Sequence, residues 1–198
     1  MTSPITPAAR EQAVDALFAA ARIIPVITIT DLDEALPLAR RLVAEGMPVL
    51  EITLRSDVAI EAIARIAAEV PEAIVGAGTV LTPAQLDAVT RAGARFAIAP
   101  GATPAVYNMG DAASIPLLPG VATASELMLG LERGYTRFKL FPAVPAGGVG
   151  LLKAFAGPFA QARFCPTGGI TEATAKDFLQ LPNVMGVGGS WMLGASKS

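Results

Sequence analysis

The stretch "RFKLFPA" (137–143) shows the pattern on which our prediction of the fold rests. It is a short, mostly apolar run that carries one lysine, Lys139, in its middle. Similar runs recur along the chain, bounded by Gly, Pro or Thr, and a helix-like stretch follows each of them. Such runs are typical of parallel strands that are buried on both faces. We predict eight strands, at 23–29, 49–55, 73–79, 96–101, 116–120, 137–143, 163–169 and 184–191.

The stretches between these strands have the end signals of helices. "TPAQLDAVTRAG" (82–93), for example, has Thr at the cap, Pro at the first helical position and Gly at the end. Strand starts repeat at about two dozen residues, the length of one βα unit. We therefore predict an α/β fold of the parallel (β/α)8 TIM-barrel kind. An open doubly wound sheet is the alternative, but it rarely reaches eight parallel strands in so short a chain.

Two further features of the predicted barrel concern its ends. An extra helix at about 8–21 precedes the first strand, where it can cover the bottom of the barrel. Only "MLGASKS" follows Trp191, so we expect the last helix to be missing or truncated. The 198 residues fit one domain, which we place at 1–198.

Composition excludes several classes of function. The chain is 53% hydrophobic and 16% charged, which indicates a large core or a subunit interface. Its net charge of -2 offers no basic surface for nucleic acid. No apolar run reaches the roughly 18 residues of a membrane span, and the N-terminus lacks a basic leader segment. We expect a cytoplasmic protein that binds neither nucleic acid nor a membrane.

The chain has one cysteine, Cys165, and no histidine. An intrachain disulfide, a histidine-ligated metal and a Ser/His/Asp triad are therefore excluded. Cys165 itself fits a small buried apolar position. Any chemistry must use Lys, Glu, Asp, Arg, Ser, Thr or the backbone, and we expect no metal.

Alternation along the strands indicates which polar side chains face the interior of the barrel. In "VLEITLR" the aliphatic side chains suit the helix layer, so Glu51 and Arg55 face inward, Arg55 nearer the C-terminal rim. In "RFKLFPA" the inward set is Arg137, Lys139 and Phe141. One interpretation is a structural ion pair of Glu51 with Lys139 or Arg137. The functional interpretation is favoured because active sites of this fold lie at the C-terminal strand ends.

An inward lysine beside a carboxylate suits covalent catalysis through an imine. Desolvation favours the neutral amine, which is the form that attacks a ketone. The cationic imine nitrogen then accepts electrons from an adjacent carbanion, which permits reversible cleavage of a carbon–carbon bond without metal. We predict Lys139 as the nucleophile and Glu51 as the general acid and base, with Arg55 holding a substrate carboxylate. Lys153, in contrast, falls in a helix-like stretch.

Glycines indicate where the other end of the substrate binds. "PTGGI" (166–170) and "GVGGSW" (186–191) follow or end the seventh and eighth predicted strands, where barrels of this class often hold phosphate through backbone amides. Paired glycines more often mark a tight turn, so their position carries the prediction. The expected phosphate ligands are Gly168, Gly169, Gly189 and Ser190.

The chain resembles the bacterial 2-keto-3-deoxy-6-phosphogluconate (KDPG) aldolases, class I lyases of the Entner–Doudoroff pathway. The matching stretches are "PVITI", "LEITLR", "IVGAGTVL", "PLLPGVATASELMLG", "RFKLFPA", "AGPFAQARFCPTGGI" and "VGGSWM". They occur in order over nearly the whole chain. The resemblance implies an imine-forming Lys139 and an acid/base Glu51. The implied pyruvyl-binding residues are Arg55, Thr79, Pro100 and Phe141.

The same resemblance implies a substrate and an assembly. A phosphorylated 2-keto acid would be cleaved to pyruvate and D-glyceraldehyde 3-phosphate, with Thr167 close to the phosphate, and 4-hydroxy-2-oxoglutarate would be cleaved to pyruvate and glyoxylate. No cofactor beyond the covalent lysine imine is implied, and members form homotrimers. Val144 departs from the family pattern, which has an acidic residue there, and a further C-terminal helix usually follows "GGSWM".

Three alternatives remain open from the sequence. The substrate can be the galactonate-derived epimer of the phosphorylated acid. The barrel can be a sugar-phosphate isomerase or epimerase, although the lack of histidine argues against proton shuttling. The chain can also be an inactive or engineered barrel that serves as an oligomeric scaffold, a reading motivated by Val144 and the absent helix.

Overall fold

The computed structural model describes residues 4–194 as a parallel α/β fold, which confirms the predicted fold class at that level. The strands are β1 (Ile23–Ile27), β2 (Val49–Thr53), β3 (Ile74–Gly78), β4 (Ala97–Ile98), β5 (Leu117–Leu118), β6 (Gly120–Val121), β7 (Arg137–Leu140), β8 (Arg163–Pro166) and β9 (Val187–Gly189). The helices are α1 (Pro7–Ala20), α2 (Ala35–Ala44), α3 (Ala59–Glu69), α4 (Pro83–Arg91), α5 (Pro104–Ala112), α6 (Ala124–Glu132), α7 (Gly148–Ala156) and α8 (Glu172–Leu179). Short 3-10 turns occupy Leu32–Glu34 and Trp191–Leu193.

The strands lie where the sequence predicts them, but they are shorter. The run predicted at 163–169 ends at Pro166, because Gly168 and Gly169 turn the chain with φ of 104° and 78°. The run at 116–120 is two strands, since β5 and β6 are separated by Pro119, which has no N–H to donate to a ladder. The strand prediction therefore overran into the loops at the C-terminal ends.

The strands form two curled parallel sheets. One has the order β5-β4-β3-β2-β1-β9 and the other the order β6-β7-β8. Parallel bridges from Phe164 to Val184 and from Thr167 to Gly188 connect the side of β8 to β9. The sheets thereby enclose an interior, and the C-terminal ends of their strands lie on the same side.

Threonine begins most of the helices. Thr6, Thr82, Thr103, Thr123 and Thr171 are N-caps whose hydroxyls accept a backbone N–H from the first turn. Such a cap satisfies an N–H that has no partner within the helix. The helix predicted at 8–21 is α1, which starts one residue earlier because its cap is Thr6.

Charged side chains fasten α1 under the N-terminal ends of the strands. Arg137 at the start of β7 donates to Asp15 at 2.6 Å and 2.7 Å and lies 3.0 Å from Glu11. Arg10 pairs with Asp111 at 3.1 Å, and its guanidinium lies 3.5 Å from the centre of the Tyr135 ring. We call this region the closed end.

Apolar side chains fill the interior directly above α1. The members of this cluster are Val14, Phe18, Ile24, Val49, Phe96, Ile98, Leu118 and Cys165. They come from α1 and from alternate positions of the strands, as the side-chain period of a strand requires. The lower half of the interior is therefore packed, and a substrate site belongs at the other end of the strands.

No helix within residues 4–194 is long and apolar enough to span a membrane. After β9 the chain makes the turn Trp191–Leu193. The last helix that we predicted to be missing or truncated lies outside the described residues.

Candidate active site

Lys139 and Glu51 meet in the interior just above the apolar cluster. The Lys139 Nζ donates to the Glu51 Oε1 at 3.0 Å, and the two residues are 4% and 1% exposed. Strand β7 carries the lysine and strand β2 the carboxylate. The amine therefore has a carboxylate within hydrogen-bond distance, the geometry that a general base requires.

Room for the Glu51 carboxylate depends on a glycine. A Cβ added at Gly78, on the neighbouring strand β3, would overlap the carboxylate group. The β2–β3 register pairs Thr53 with Gly78, so the carboxylate leans toward the C-terminal ends of the strands. The glycine in "GAGT" is therefore part of the packing that sets the position of Glu51.

Arg137 does not take part in this pair. The sequence placed it on the inner face with Lys139, but its guanidinium binds Asp15 and Glu11 of α1 at the closed end. The alternative of a Glu51–Arg137 ion pair is wrong, because Arg137 begins β7 and so lies at the level of the helix, two residues below Lys139.

A cavity of about 330 Å³ opens at the C-terminal ends of the strands above this pair. Its lining is Val26, Thr28, Arg55, Phe141, Thr167, Gly168, Gly169, Ile170, Gly189 and Ser190. Val26 is the β1 partner of Glu51, and the Phe141 ring lies 5.2 Å from the Lys139 Nζ. Lys139 and Glu51 are not themselves among the lining residues, so the buried pair lies beneath the cavity, next to Val26 and Phe141 of its floor.

Arg55 and Thr79 meet at one side of the mouth. The Arg55 Nε donates to the Thr79 Oγ1 at 3.3 Å. Thr79 has a φ of 58°, the left-handed region that a β-branched residue rarely adopts. Such strain is typical of functional sites. It turns the threonine hydroxyl onto a guanidinium that lines the cavity, where a substrate carboxylate can bind.

Gly168 and Gly169 form the opposite side of the mouth. Both have positive φ, and in the part of the chain that the structure describes their N–H groups donate to no backbone carbonyl. Successive N–H groups in such a turn form an anion-binding nest. Ser190 is exposed beside them, whereas Thr167 is only 5% exposed and packs over Gly188. These groups can hold a phosphate.

Val144, the departure from the family pattern, supports the glycine turn. Its N–H donates to the Gly168 carbonyl at 3.0 Å, and its side chain lies over the Cα of Gly169. The hydrogen bond comes from the backbone and does not depend on the side chain at this position. The change from an acidic residue therefore leaves the glycine turn braced.

Some site residues differ from what the sequence indicated. Pro100 is not among the described residues that line the cavity, and its backbone instead packs against Gly120. The sequence reasoning missed Thr28 and Val26, although both have inward parity in "IIPVITI". A polar residue near the C-terminal end of a predicted inward row was the signal for Thr28.

Cys165 lies next to Lys139 in the β7–β8 register. Burial raises the pKa of its thiol to about 12, although the nearby lysine opposes the shift. The thiol is therefore neutral at ordinary pH and is packed as an apolar group. Within residues 4–194 no group of three or more His, Cys, Asp or Glu side chains is placed to hold a metal ion.

The comparison with known families assigns the chain. A sequence model described as KDPG and KHG aldolase matches residues 14–198. The chain belongs to this aldolase family. The KHG/KDPG aldolase of Escherichia coli (strain K12) is 55% identical over 173 residues, which are 87% of this chain and 81% of that protein. The family that the sequence motifs indicated is thus confirmed, and with it the aldolase class of lyase.

Solved structures of KDPG aldolases are similar to this fold. The enzyme from Legionella pneumophila, with pyruvate captured at low pH as a covalent carbinolamine intermediate, has a TM-score of 0.89 and 53% identity and covers 91% of this chain and 87% of that chain. The enzyme from Zymomonas mobilis ZM4 with 3-phosphoglycerate has a TM-score of 0.89 and 47% identity, covering 93% and 88%.

Proposed function

We propose that the chain is a class I aldolase that reversibly cleaves KDPG to pyruvate and D-glyceraldehyde 3-phosphate. The observation that carries the proposal is the buried Lys139–Glu51 pair, 3.0 Å apart and next to Val26 and Phe141 of the cavity floor. The pair supplies an amine and an adjacent base, which are the two groups that imine chemistry needs. The carbinolamine captured in the Legionella protein supports the same chemistry.

The first half of the reaction forms the imine. Glu51 takes a proton from the Lys139 ammonium, and the neutral amine attacks the C2 carbonyl of the substrate to form a carbinolamine. Glu51 returns the proton to the carbinolamine hydroxyl, which leaves as water, so a protonated imine remains. Covalent attachment replaces one difficult cleavage by two easier steps.

The second half breaks the carbon–carbon bond. Glu51 accepts the proton of the C4 hydroxyl, the C3–C4 electron pair moves into the imine, and the aldehyde leaves while an enamine stays on Lys139. Protonation of the enamine at C3 and addition of water at C2 then release pyruvate and the free amine. Every proton that Glu51 takes is passed on, so the pair is regenerated.

The two sides of the mouth orient the substrate in this proposal. Arg55 and Thr79 hold the carboxylate next to C2, and Phe141 borders the pyruvyl part. The phosphate binds the turn of Gly168 and Gly169 with help from Thr167, Gly189 and Ser190. Support comes from the positive φ values of the two glycines and from the hydrogen bond between Arg55 and Thr79. Cleavage of 4-hydroxy-2-oxoglutarate to pyruvate and glyoxylate needs only the first side.

Further parts of the proposal concern the whole chain. We propose a (β/α)8 barrel, one domain over 1–198, with α1 as the extra helix; the pairings of β5 and β6 on either side of Pro119 support it. A homotrimer would cover exposed apolar residues such as Leu81 and Met128, which are 53% and 52% exposed. The absence of a metal or other cofactor and a cytoplasmic location remain predictions.

Trapping the imine tests the mechanism. Borohydride is added to the protein with pyruvate, and peptides are mapped by mass spectrometry. We expect one reduced pyruvyl adduct on Lys139, none in Lys139→Met and full labelling in Lys153→Met, whose lysine lies on α7. A protein that forms no adduct on Lys139 while it cleaves KDPG would rule out the imine route. Undiminished KDPG cleavage by Lys139→Ala would rule it out as well.

A further inference from the structure

Two threonine hydroxyls touch at the wall of the cavity. Thr28 follows β1, is exposed and lines the cavity, whereas Thr53 ends β2 and is 0% exposed. Their Oγ1 atoms are 2.8 Å apart. The Thr53 hydroxyl also lies 3.1 Å from the Ile27 carbonyl oxygen. The pair sits where a bound substrate would pass, although no catalytic step above uses it.

The number of protons fixes the direction of these hydrogen bonds. A threonine hydroxyl has one proton and a carbonyl oxygen has none, so the proton of Thr53 is the one that binds Ile27. The contact between the threonines then needs the proton of Thr28. Thr28 therefore donates inward to Thr53 and presents only lone pairs to the cavity. It is an acceptor, and it suits a ligand group that donates.

The position of Thr28 selects the part of the ligand. Strand β1 lies between β2, which leads to Arg55, and β9, which leads to Ser190. The β1–β2 register pairs Val26 with Glu51, so Thr28 lies one inward position nearer the mouth than the base. It thus stands between the two sides of the mouth and above the reacting carbons.

We propose that Thr28 is a specificity-determining residue that accepts a hydrogen bond from the C5 hydroxyl of the phosphorylated substrate. This inference rests on the proposed aldolase function. The C4 hydroxyl gives its proton to Glu51 deeper in the site, which leaves C5 as the hydroxyl carbon toward the mouth and the phosphate. In the reverse reaction the same group is the 2-hydroxyl of glyceraldehyde 3-phosphate. In glyoxylate the carbon next to the aldehyde is a carboxylate, which has no hydroxyl to donate.

Two aldehydes test the proposal in the synthetic direction. Pyruvate is condensed with D-glyceraldehyde 3-phosphate or with 3-oxopropyl phosphate, which has the same aldehyde and phosphate and lacks the 2-hydroxyl. Thr28→Val keeps the shape and removes the acceptor. We expect its kcat/KM to fall by roughly three- to tenfold with D-glyceraldehyde 3-phosphate and to stay unchanged with the deoxy aldehyde. Thr28→Ser, which keeps the hydroxyl, should retain the wild-type ratio of the two.

The ratio separates recognition from structure. If kcat/KM of Thr28→Val falls by the same factor with both aldehydes, the residue only supports Thr53. If kcat/KM does not fall with either aldehyde, Thr28 does not bind the C5 hydroxyl. Either result overturns the inference and leaves the aldolase intact. A wild-type protein that joins pyruvate to neither aldehyde and forms no borohydride adduct overturns the proposed function and this inference with it.

Discussion

Strand β7 carries two cations, Arg137 at the closed end and Lys139 beneath the cavity, and their surroundings differ. Arg137 meets two carboxylates of α1, and its side chain is 16% exposed while that of Asp15 is 47% exposed. Lys139, two residues further on, meets one carboxylate, and the side chains of the pair are 4% and 2% exposed. The same face of one strand thus holds a partly exposed ion-pair network and a buried ion pair, which we call the dry pair.

Depth in the interior accounts for this contrast. At the closed end water and several oxygens share the charge of Arg137, so the network holds α1 in place and leaves the arginine permanently charged. Beneath the cavity Lys139 has one partner that can take its proton. In the mechanism that we propose, the first cation anchors α1 and the second one reacts.

Removing one carboxylate from each end should have unequal effects on turnover. Glu51→Gln keeps the size of the side chain but cannot take a proton, so kcat for KDPG cleavage should fall by roughly 10²- to 10⁴-fold. Glu11→Gln removes a carboxylate from Arg137 and should leave kcat at the wild-type value. A coupled assay that measures pyruvate release checks both variants.

Borohydride trapping in Glu51→Gln shows whether the loss of the carboxylate also removes the reactive amine. Borohydride trapping with pyruvate should still label Lys139 in Glu51→Gln after long incubation, because the amine remains. Full turnover in Glu51→Gln, or an equal loss in Glu11→Gln, would mean that the two ends do not differ as proposed.

Removing the cation from each end should destabilise the fold to different degrees. Lys139→Met leaves the buried Glu51 carboxylate without its partner, which costs about 3 kcal/mol of unfolding free energy. Arg137→Met breaks a partly exposed network and should cost about 1 kcal/mol. Urea unfolding followed by circular dichroism measures both values.

A double variant isolates the cause. Lys139→Met combined with Glu51→Gln replaces the unpaired charge by an amide, so part of the lost stability should return. If the double variant is no more stable than Lys139→Met alone, the unpaired Glu51 charge does not account for the loss.

The sequence predicted the dry pair better than its surroundings. Strand parity depends only on the backbone, so "VLEITLR" and "RFKLFPA" were enough to turn Glu51 and Lys139 inward. Parity says nothing about depth, which is why Arg137 was placed beside Lys139 although it binds α1. The contacts of Arg137 depend on where a separate helix docks, a long-range feature that no local pattern contains.

The sequence pattern also did not predict where the strands end or which residues form the cavity walls. The strands ended early because Gly168 and Gly169 take positive φ, and a glycine permits that conformation without requiring it. Gly78 is a second example. A glycine is required there because a Cβ would overlap the Glu51 carboxylate, which lies on another strand. Thr28 has inward parity in the sequence, but only its contact with Thr53 shows in which direction its hydroxyl donates a hydrogen bond.

Cys165 lies between the two regions, in the apolar cluster and next to Lys139, and its titration tests how dry that boundary is. Burial raises the pKa of the folded thiol from 9.0 to about 12. A pKa raised by folding gives stability that is complete below the unfolded pKa near 9 and is lost as the pH rises toward 12.

Between pH 8 and 9.5 the thiol ionises in the unfolded chain alone. Wild-type protein should therefore lose about 1 kcal/mol of unfolding free energy more than Cys165→Ala over that interval. The comparison cancels tyrosines and lysines that titrate in both proteins. Equal losses in the two proteins would mean that the folded thiol ionises as easily as the unfolded one, and that water reaches the interior beneath Lys139.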